Sequence, residues 1–370
     1  MTGLDVDLSR LAAYDYVLPD DLVARYPLEA RDASRMLCMG RMSGGLDDRQ
    51  FAELPNMLAP GDLLVLNNAK VMPARLLGRK AGHTGQVELF LLRPVAPHEA
   101  TDQARHWHVL MRPARRLHEG SRVVFDGSAL VATITKKAEQ GQGEVLFEWP
   151  GEGTSEGTSE GTSLMQQVEA VGQLPIPPYF NRSPEAIDTE RYQTVFASVD
   201  GAQAAPTAGL HFTDAIFSQL RDRGVQTAEV TLMVGAGTFR PVLEDDVRRH
   251  RMDPEYYGLD QTVVDRIAQT KAAGGRVIAV GTTVLKTLES SAFYNQGCLT
   301  AEGRWSDLFI RPPFDFHVVD GLLTNFHLPR STLLMLVSAF ASRDHILQAY
   351  AHAVQQRYRF YSYGDCMIIV

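Results

Sequence analysis

The sequence predicts an α/β main domain with a mixed, largely parallel sheet, plus a smaller antiparallel β-barrel domain. Three textures point there. Between Gly61 and Pro150, short alternating or β-branched runs (GDLLVLNN, QVELFLLRP, HWHVLMRPA, SRVVFDG, LVATITKKA, GEVLFEW) follow one another between Gly, Pro and charged turns, the pattern of a small closed sheet. Beyond residue 170, strand-like and helix-like runs alternate. Between them lies EGTS repeated three times, a tract too polar to repay its ordering entropy. The 370 residues leave room for two or three domains at about 150 residues each. The expected division is 1–60 and 170–370 for the α/β domain, 61–150 for the barrel, and 151–169 for a flexible low-complexity linker.

Taken in order, Pro19–Ala24 reads as an acidic helix start, and Met36–Met39 as a short strand after Arg31–Arg35. The barrel runs and the linker follow, then the extended Pro175–Tyr179 passage. Thr213-Asp214 starts a helix that runs to Gly224, and VQTAEVTLMVG is a buried strand. LDQTVVDRIAQTKAAGG is an amphipathic helix with a glycine stop, RVIAVG a strand, and Thr282-Thr283 the start of the helix VLKTLES. FHVVDGLLTNFHLP is extended, STLLMLVSAF and RDHILQAYAHAVQQRY are helices, and DCMIIV is a strand. Ser331, between Leu328-Pro329-Arg330 and an apolar helix, reads as an N-cap.

Lys and Arg number 36 against 44 Asp and Glu, a net charge of −8, which argues against polyanion binding over the whole surface but leaves room for a local basic face. Three widely spaced cysteines, Cys38, Cys298 and Cys366, show no zinc-ligand spacing and no disulfide pattern. The acidic start MTGLDVDLSRLAAYDYVL lacks a signal-peptide pattern, and no apolar run is long enough to span a bilayer. A cytoplasmic protein without a membrane segment is expected.

In an open α/β sheet, ligands gather beyond the carboxyl ends of the strands. Two strands end suitably, VTLMV in Gly235–Arg240 and RVIAV in Gly281-Thr282-Thr283, although neither forms a complete dinucleotide or triphosphate loop. The small-residue stretch Ala204–Phe212 ends in His211, which reads either as an acid or base near neutral pH or as a packing residue beside a helix. His250, Glu255, Asp320, Asn325, His327 and Asp365 lie in or beside loops. The separations of His211, His250 and His327 carry no metal signature, and no metal is expected. Arg75, Arg79-Lys80, Arg112–Arg116 and Arg248–Arg251 are local basic clusters, each open to reading as a solvated face or as a phosphate-facing patch.

The long strings GDLLVLNNAKVMPARLLGRK, ERYQTVFA, AAPTAGLHFT, VGAGTFRPV, RVIAVGTTVLKTLES, DLFIRPPF, VVDGLLTNFHLPRSTLLMLVSAFA and YRFYSYGDCMII closely resemble the S-adenosylmethionine:tRNA ribosyltransferase-isomerase family of queuosine biosynthesis. The resemblance runs in order from about Tyr14 onward, with only the EGTS tract unlike it. It implies transfer and isomerisation of the ribosyl part of S-adenosylmethionine onto 7-aminomethyl-7-deazaguanine at the tRNA wobble position, giving epoxyqueuosine, adenine and methionine. No cofactor is implied, because S-adenosylmethionine is consumed as the ribosyl donor.

Set against that chemistry, His211, Glu255 and His327 are the candidates for proton transfer. Thr207, Gly209, Gly235, Gly237, Arg240, Thr282, Thr283, Asp320, Asn325 and Asp365 are candidates for substrate contacts, Asp320 or Asp365 facing the sulfonium charge. Arg75, Arg112 and Arg115 are candidate tRNA phosphate contacts, while Tyr192, Phe196 and Phe212 either support the splayed base or belong to the core. The chain departs from the family pattern at Gln203, Met233, Asp253 and Lys286, so the alternative is a catalytically impaired tRNA-binding paralogue of the same fold. A metal hydrolase is the third reading, and nothing in the spacing encourages it. The oligomeric state is not set by the sequence.

Overall fold

The computed structural model describes residues 6–96, 104–150, 163–235, 237 and 242–370. Its larger element is a nine-stranded mixed sheet. From one edge to the other the strands are Glu302–Ser306, Glu255–Leu259, Gln226–Leu232, Leu63–Asn67, Val277–Val280, Gly321–Asn325, Cys366–Ile369, Arg35–Met39 and Leu46–Gln50. The middle four, from Gln226–Leu232 to Gly321–Asn325, run parallel and in step, with Leu63 opposite both Gln226 and Val277, and Ile278 opposite Gly321.

The pleat explains why these runs are apolar throughout. Leu63, Val65, Val277, Ala279 and Leu322 enter the core on one face, under the helices Gln261–Ala272 and Thr282–Tyr294. Leu64, Leu66, Ile278, Val280 and Leu323 enter the core on the other, under the helix Asp214–Asp222. A strand covered on both faces has no polar side to show, so alternation disappears. That is why Leu63–Asn67, grouped with the barrel runs by the sequence, is in fact central to the mixed sheet.

The barrel is built from Arg75–Lys80, Gln86–Pro94, His106–Arg112, Gln142–Glu148, Val131–Lys137 and Arg122–Val124, closed by pairing of Arg79 with Val124. Alternate residues fill its interior, among them Leu76, Val87, Leu89, Leu91, Val109, Ile134, Val145 and Phe147. Trp107 is fully buried there, and its indole N–H donates to the Ala104 carbonyl at 2.7 Å.

Two further expectations change. The linker assigned to 151–169 includes a helix, Leu164–Val171, started by a capping box between Ser163 and Gln166 and held to the barrel by Leu164, Met165 and Val168. The rest of that segment, 151–162, lies outside the described residues. The acidic start at Pro19–Ala24 is only a short 3-10 turn, Asp20–Leu22. The capping expectations fare better, since Thr213 and Ser331 accept from the backbone N–H of Ile216 and Leu334 at 3.3 and 3.1 Å.

Candidate functional site

Because the four central strands are parallel and in register, their carboxyl ends open on the same side of the sheet. The barrel stands over that side and contributes Leu92, Arg93, Pro94, Trp107 and Gln142 to a cleft of about 1020 Å³. Small-molecule sites span roughly 300–1,000 Å³, so the cleft has room for more than one small ligand. A side pocket of about 80 Å³ adjoins it and shares Val234, Thr282, Thr283 and Leu333 as walls.

The cleft's charged centre is Glu255, first residue of the strand Glu255–Leu259. The backbone N–H of Gly235 donates to its Oε1 at 3.0 Å, and Lys286 Nζ donates to its Oε2 at 2.8 Å. The two side chains are only 13% and 7% exposed, so the pair sits in a weakly screened setting. Lys286 reaches Glu255 because it lies one helical turn beyond Thr282, on the helix face that looks into the cleft. A carboxylate has about four acceptor positions, and these two bonds fix its orientation while leaving others for a ligand.

At the start of that helix Gly281 has φ +96°, a backbone state that suits glycine. The first helical residues, Thr282 and Thr283, border both cavities, at the helix end whose first N–H groups have no intrahelical partner. Thr283 Oγ1 is buried there without a hydrogen-bond partner among the described residues. Gly235 and Gly237 line the same cleft, with Asp253 packed against Gly237. Arg240 lies outside the described residues.

A second group forms a relay behind the side pocket. Thr207 Oγ1 donates to Asn325 Oδ1 at 2.9 Å, and Asn325 Nδ2 lies 3.2 Å from His211 Nε2 and 3.3 Å from the Asp365 carbonyl. His211 Nδ1 is 2.8 Å from Ser34 Oγ, whose own hydroxyl donates to the Arg31 carbonyl at 3.3 Å. That network assigns the proton to Nδ1 and makes Nε2 the acceptor. His211 thus stands behind Asn325 and touches neither cavity. His327 lines the side pocket, with Nε2 2.8 Å from Thr324 Oγ1 and its backbone clamped by Tyr16 and Tyr350.

Burial pushes His211 down to about 4, helped by the Arg31 and Arg359 guanidiniums, and pushes His327 down to about 3. Both are neutral near pH 7. The unfolded chain, with ordinary histidines near 6.5, binds more protons than the folded one between that value and about 4 or 3. Stability is therefore present above pH 6.5 and is lost as pH falls, with a slope of up to about 1.4 kcal/mol per pH unit for each imidazole. Asp365, pushed up by burial, acts in the opposite sense nearer the carboxylate range. The melting temperature is expected to drop between pH 7 and pH 5, and His327→Gln to flatten that drop; a rise on acidification would contradict the assignment.

The remaining candidates are placed elsewhere. Asp320 accepts from the Val277 N–H at 2.9 Å and pairs with Lys271 at 3.4 Å, at the amino end of the strands and so across the sheet from the cleft. Asp365 is buried, its carboxylate accepting from the backbone N–H of Arg35 and Arg359 at 2.9 and 2.8 Å. Gly209 is a packing glycine, since a Cβ there would meet Phe196 Cζ at 2.7 Å and Thr194 Cγ2 at 2.9 Å. Tyr192 and Phe212 are fully buried in two separate clusters, and Phe196 packs against the one that holds Phe212. Arg75 is tied to Glu88 at 2.8 Å, and neither it, Arg112 nor Arg115 borders the cleft.

Sequence reading missed Arg93, Tyr256 and Trp305 on the cleft walls, whereas Arg249 and Arg251, which also line it, belong to the basic run Arg248–Arg251 noted from sequence. Tyr256 and Trp305 face each other across paired strands with ring centroids 5.5 Å apart, and the Arg93 guanidinium lies 5.2 Å from the Trp305 ring. Gln203, noted only as a departure, donates from Nε2 to the Leu92 carbonyl and ties the sheet to the barrel. Lys286, also noted as a departure, had a usable signal: its i,i+4 spacing from Thr282. Among the described residues no three His, Cys, Asp or Glu side chains gather to hold a metal, and no helix is long and apolar enough to cross a membrane.

Comparison with known proteins agrees with this architecture. The family described as queuosine biosynthesis protein matches residues 11–369. A curated protein from Heliobacterium modesticaldum, named S-adenosylmethionine:tRNA ribosyltransferase-isomerase, is 44% identical over 360 residues, 97% of this chain and 99% of that protein. The crystal structure of S-adenosylmethionine tRNA ribosyltransferase from Thermotoga maritima is 35% identical, covers 97% of this chain and all of that one, and superposes with a TM-score of 0.52.

Proposed function

Since this chain belongs to the queuosine biosynthesis family, we propose that the cleft between the mixed sheet and the barrel is where its ribosyl transfer takes place. The activity is that of an S-adenosylmethionine:tRNA ribosyltransferase-isomerase. The acceptor is 7-aminomethyl-7-deazaguanine at the wobble position of tRNA, and the products are epoxyqueuosine-tRNA, adenine and methionine. The observation that carries the placement is the Glu255 carboxylate, oriented by Lys286 and the Gly235 N–H in a cleft large enough for two reactants.

The donor's sulfonium acidifies the neighbouring 5′ carbon, so the first demand is a base aimed at that carbon. Glu255 fills this role: as it takes the 5′ proton, the C4′=C5′ bond forms, the C4′–O4′ bond opens, and the ring oxygen becomes a C1′ aldehyde as adenine leaves. The neutral amine of the modified guanine then adds to C4′ and loses its proton, the regenerated C5′ ylide closes the carbocycle on the C1′ aldehyde, and the C1′ oxyanion displaces methionine from C5′ as the epoxide forms. The Thr282–Tyr294 helix start suits the methionine carboxylate, because its first backbone N–H groups lack intrahelical partners beside the junction of the two cavities. Asn325, held by Thr207 and His211, presents a fixed amide beside the side pocket, and His211 acts as a positioning residue through it.

Lys286 keeps a cation opposite Glu255, so the departure from the family's usual arginine preserves the charge pairing. The activation comes from the sulfonium itself, and the reading calls for no metal or redox cofactor. A cytoplasmic setting fits a tRNA substrate. Incubation of the purified protein with S-adenosylmethionine and tRNA bearing the aminomethyl base, with a chelator present, is expected to release adenine in step with epoxyqueuosine. Binding of tRNA without adenine release would support the impaired paralogue instead.

A further inference from the structure

The charged side chains at the cleft and in the segments beside it differ in how far they are already committed. Lys286 is paired with Glu255, and Arg248 forms a two-pronged contact with Asp246 at 2.9 and 2.8 Å. Lys70 holds Asp200 at 3.2 Å. Arg249 and Arg251 are different: both are exposed, both line the cleft, and neither guanidinium has an ion pair or side-chain hydrogen bond among the described residues. They lie two residues apart, about 7 Å along an extended chain, far enough to reach separate groups. Glu244, Asp253 and His250 are their neighbours on the same wall.

Guanidinium forks match phosphate, and phosphate separates the two substrates. S-adenosylmethionine has none, whereas the nucleotides that flank a base splayed into the cleft bring theirs to its rim. The arginines expected from sequence to meet the RNA do not line the cleft. Trp107, at the cleft, stands opposite Pro94, while Arg112 stands opposite Glu88 farther along the same barrel strands. The cleft residue Gln142 stands opposite Leu110, two residues before Arg112, yet neither Arg112 nor Arg115 borders the cleft itself.

We propose that Arg249 and Arg251 form the phosphate clamp that seats the RNA strand on either side of the reacting base. The proposal rests on the reading of the cleft as the transfer site. The clamp positions the strand and carries no base identity, which is left to groups deeper in the cleft. Two phosphate contacts to a single strand contribute about 1.4 to the slope of log affinity against log salt.

Direct binding of tRNA and of S-adenosylmethionine, each measured without turnover, tests the clamp separately from the reaction. The Arg249→Ala/Arg251→Ala variant is expected to bind tRNA at least tenfold more weakly, with a salt slope shallower by about 1.4. Its S-adenosylmethionine affinity should stay within twofold, its melting temperature should be unchanged, and Arg249→Lys/Arg251→Lys should recover most of the tRNA affinity. Unchanged tRNA affinity and salt slope would overturn the proposal. So would a loss confined to S-adenosylmethionine, which would assign the arginines to the methionine carboxylate, or a tRNA loss carried by Arg112→Ala/Arg115→Ala instead. If wild-type protein binds tRNA through this clamp yet releases no adenine, the assigned reaction fails while the clamp stands.

Discussion

Glu255→Gln is expected to lower kcat for adenine release by about 10²–10⁴, the usual contribution of a general base. The substitution is conservative in shape: the side-chain oxygen can still accept from the Gly235 N–H, now 3.0 Å away. What disappears is the charge that draws Lys286 Nζ to 2.8 Å and the capacity to take a proton. The loss should therefore appear in kcat with both substrate affinities nearly kept, whereas a group that only binds would raise KM. Lys286→Met removes the cation and leaves the carboxylate poorly compensated, so it should cost both turnover and stability. Lys286→Arg should be much milder. Adenine release under saturating substrates is the measurement, and a Glu255→Gln variant within threefold of wild type would remove Glu255 from the chemistry.

Glu289→Ala should be the most destabilising single change outside the cleft, by about 3–5 kcal/mol. Glu289 is fully buried on the Thr282–Tyr294 helix. Its carboxylate accepts the backbone N–H groups of His317, Val318 and Val319 at 2.9, 3.0 and 2.9 Å. Those residues lead into the strand Gly321–Asn325, which delivers Asn325 and then His327 to the side pocket. Alanine would strand donors in a dry interior and open a cavity beside them. Glu289→Gln keeps an acceptor and should cost less. Denaturant unfolding reads the difference, and a loss below 1 kcal/mol for the alanine variant would show that water or a shifted loop replaces the carboxylate.

Much of the fold is legible in the sequence because local signals and tertiary demands agree. Thr213 and Ser331 cap helices where hydroxyls precede apolar periodicity, and the run VIAV is a strand because nothing polar interrupts it. Leu63–Asn67 shows the limit, since its apolar run suits a barrel stave or a central parallel strand, and only its neighbours decide. The site divides in the same way. Gly235, Thr282 and Thr283 are visible because they end strands, whereas Glu255 reads in the sequence only as an acid in or beside a loop, and the strand it opens shows in the fold. Arg93 and Trp305 meet only when the barrel docks over the sheet, a contact with no local pattern, while Arg249 and Arg251 stand out as a basic run whose place on the cleft wall only the fold decides. Asp320 misleads for the converse reason: a loop acid looks the same at either end of a strand, and this one faces Val277 at the amino end.

Placing the chemistry in this cleft depends most on proton removal from the 5′ carbon by Glu255. S-adenosylmethionine carrying two deuterons at that carbon, followed by single-turnover adenine release and the mass of the modified nucleoside, tests it directly. The expected result is slower adenine release from the deuterated donor, loss of one deuteron from the nucleoside, and no nucleoside product above background with Glu255→Gln. Equal rates with both deuterons retained, or unimpaired washout in the Glu255→Gln variant, would contradict it.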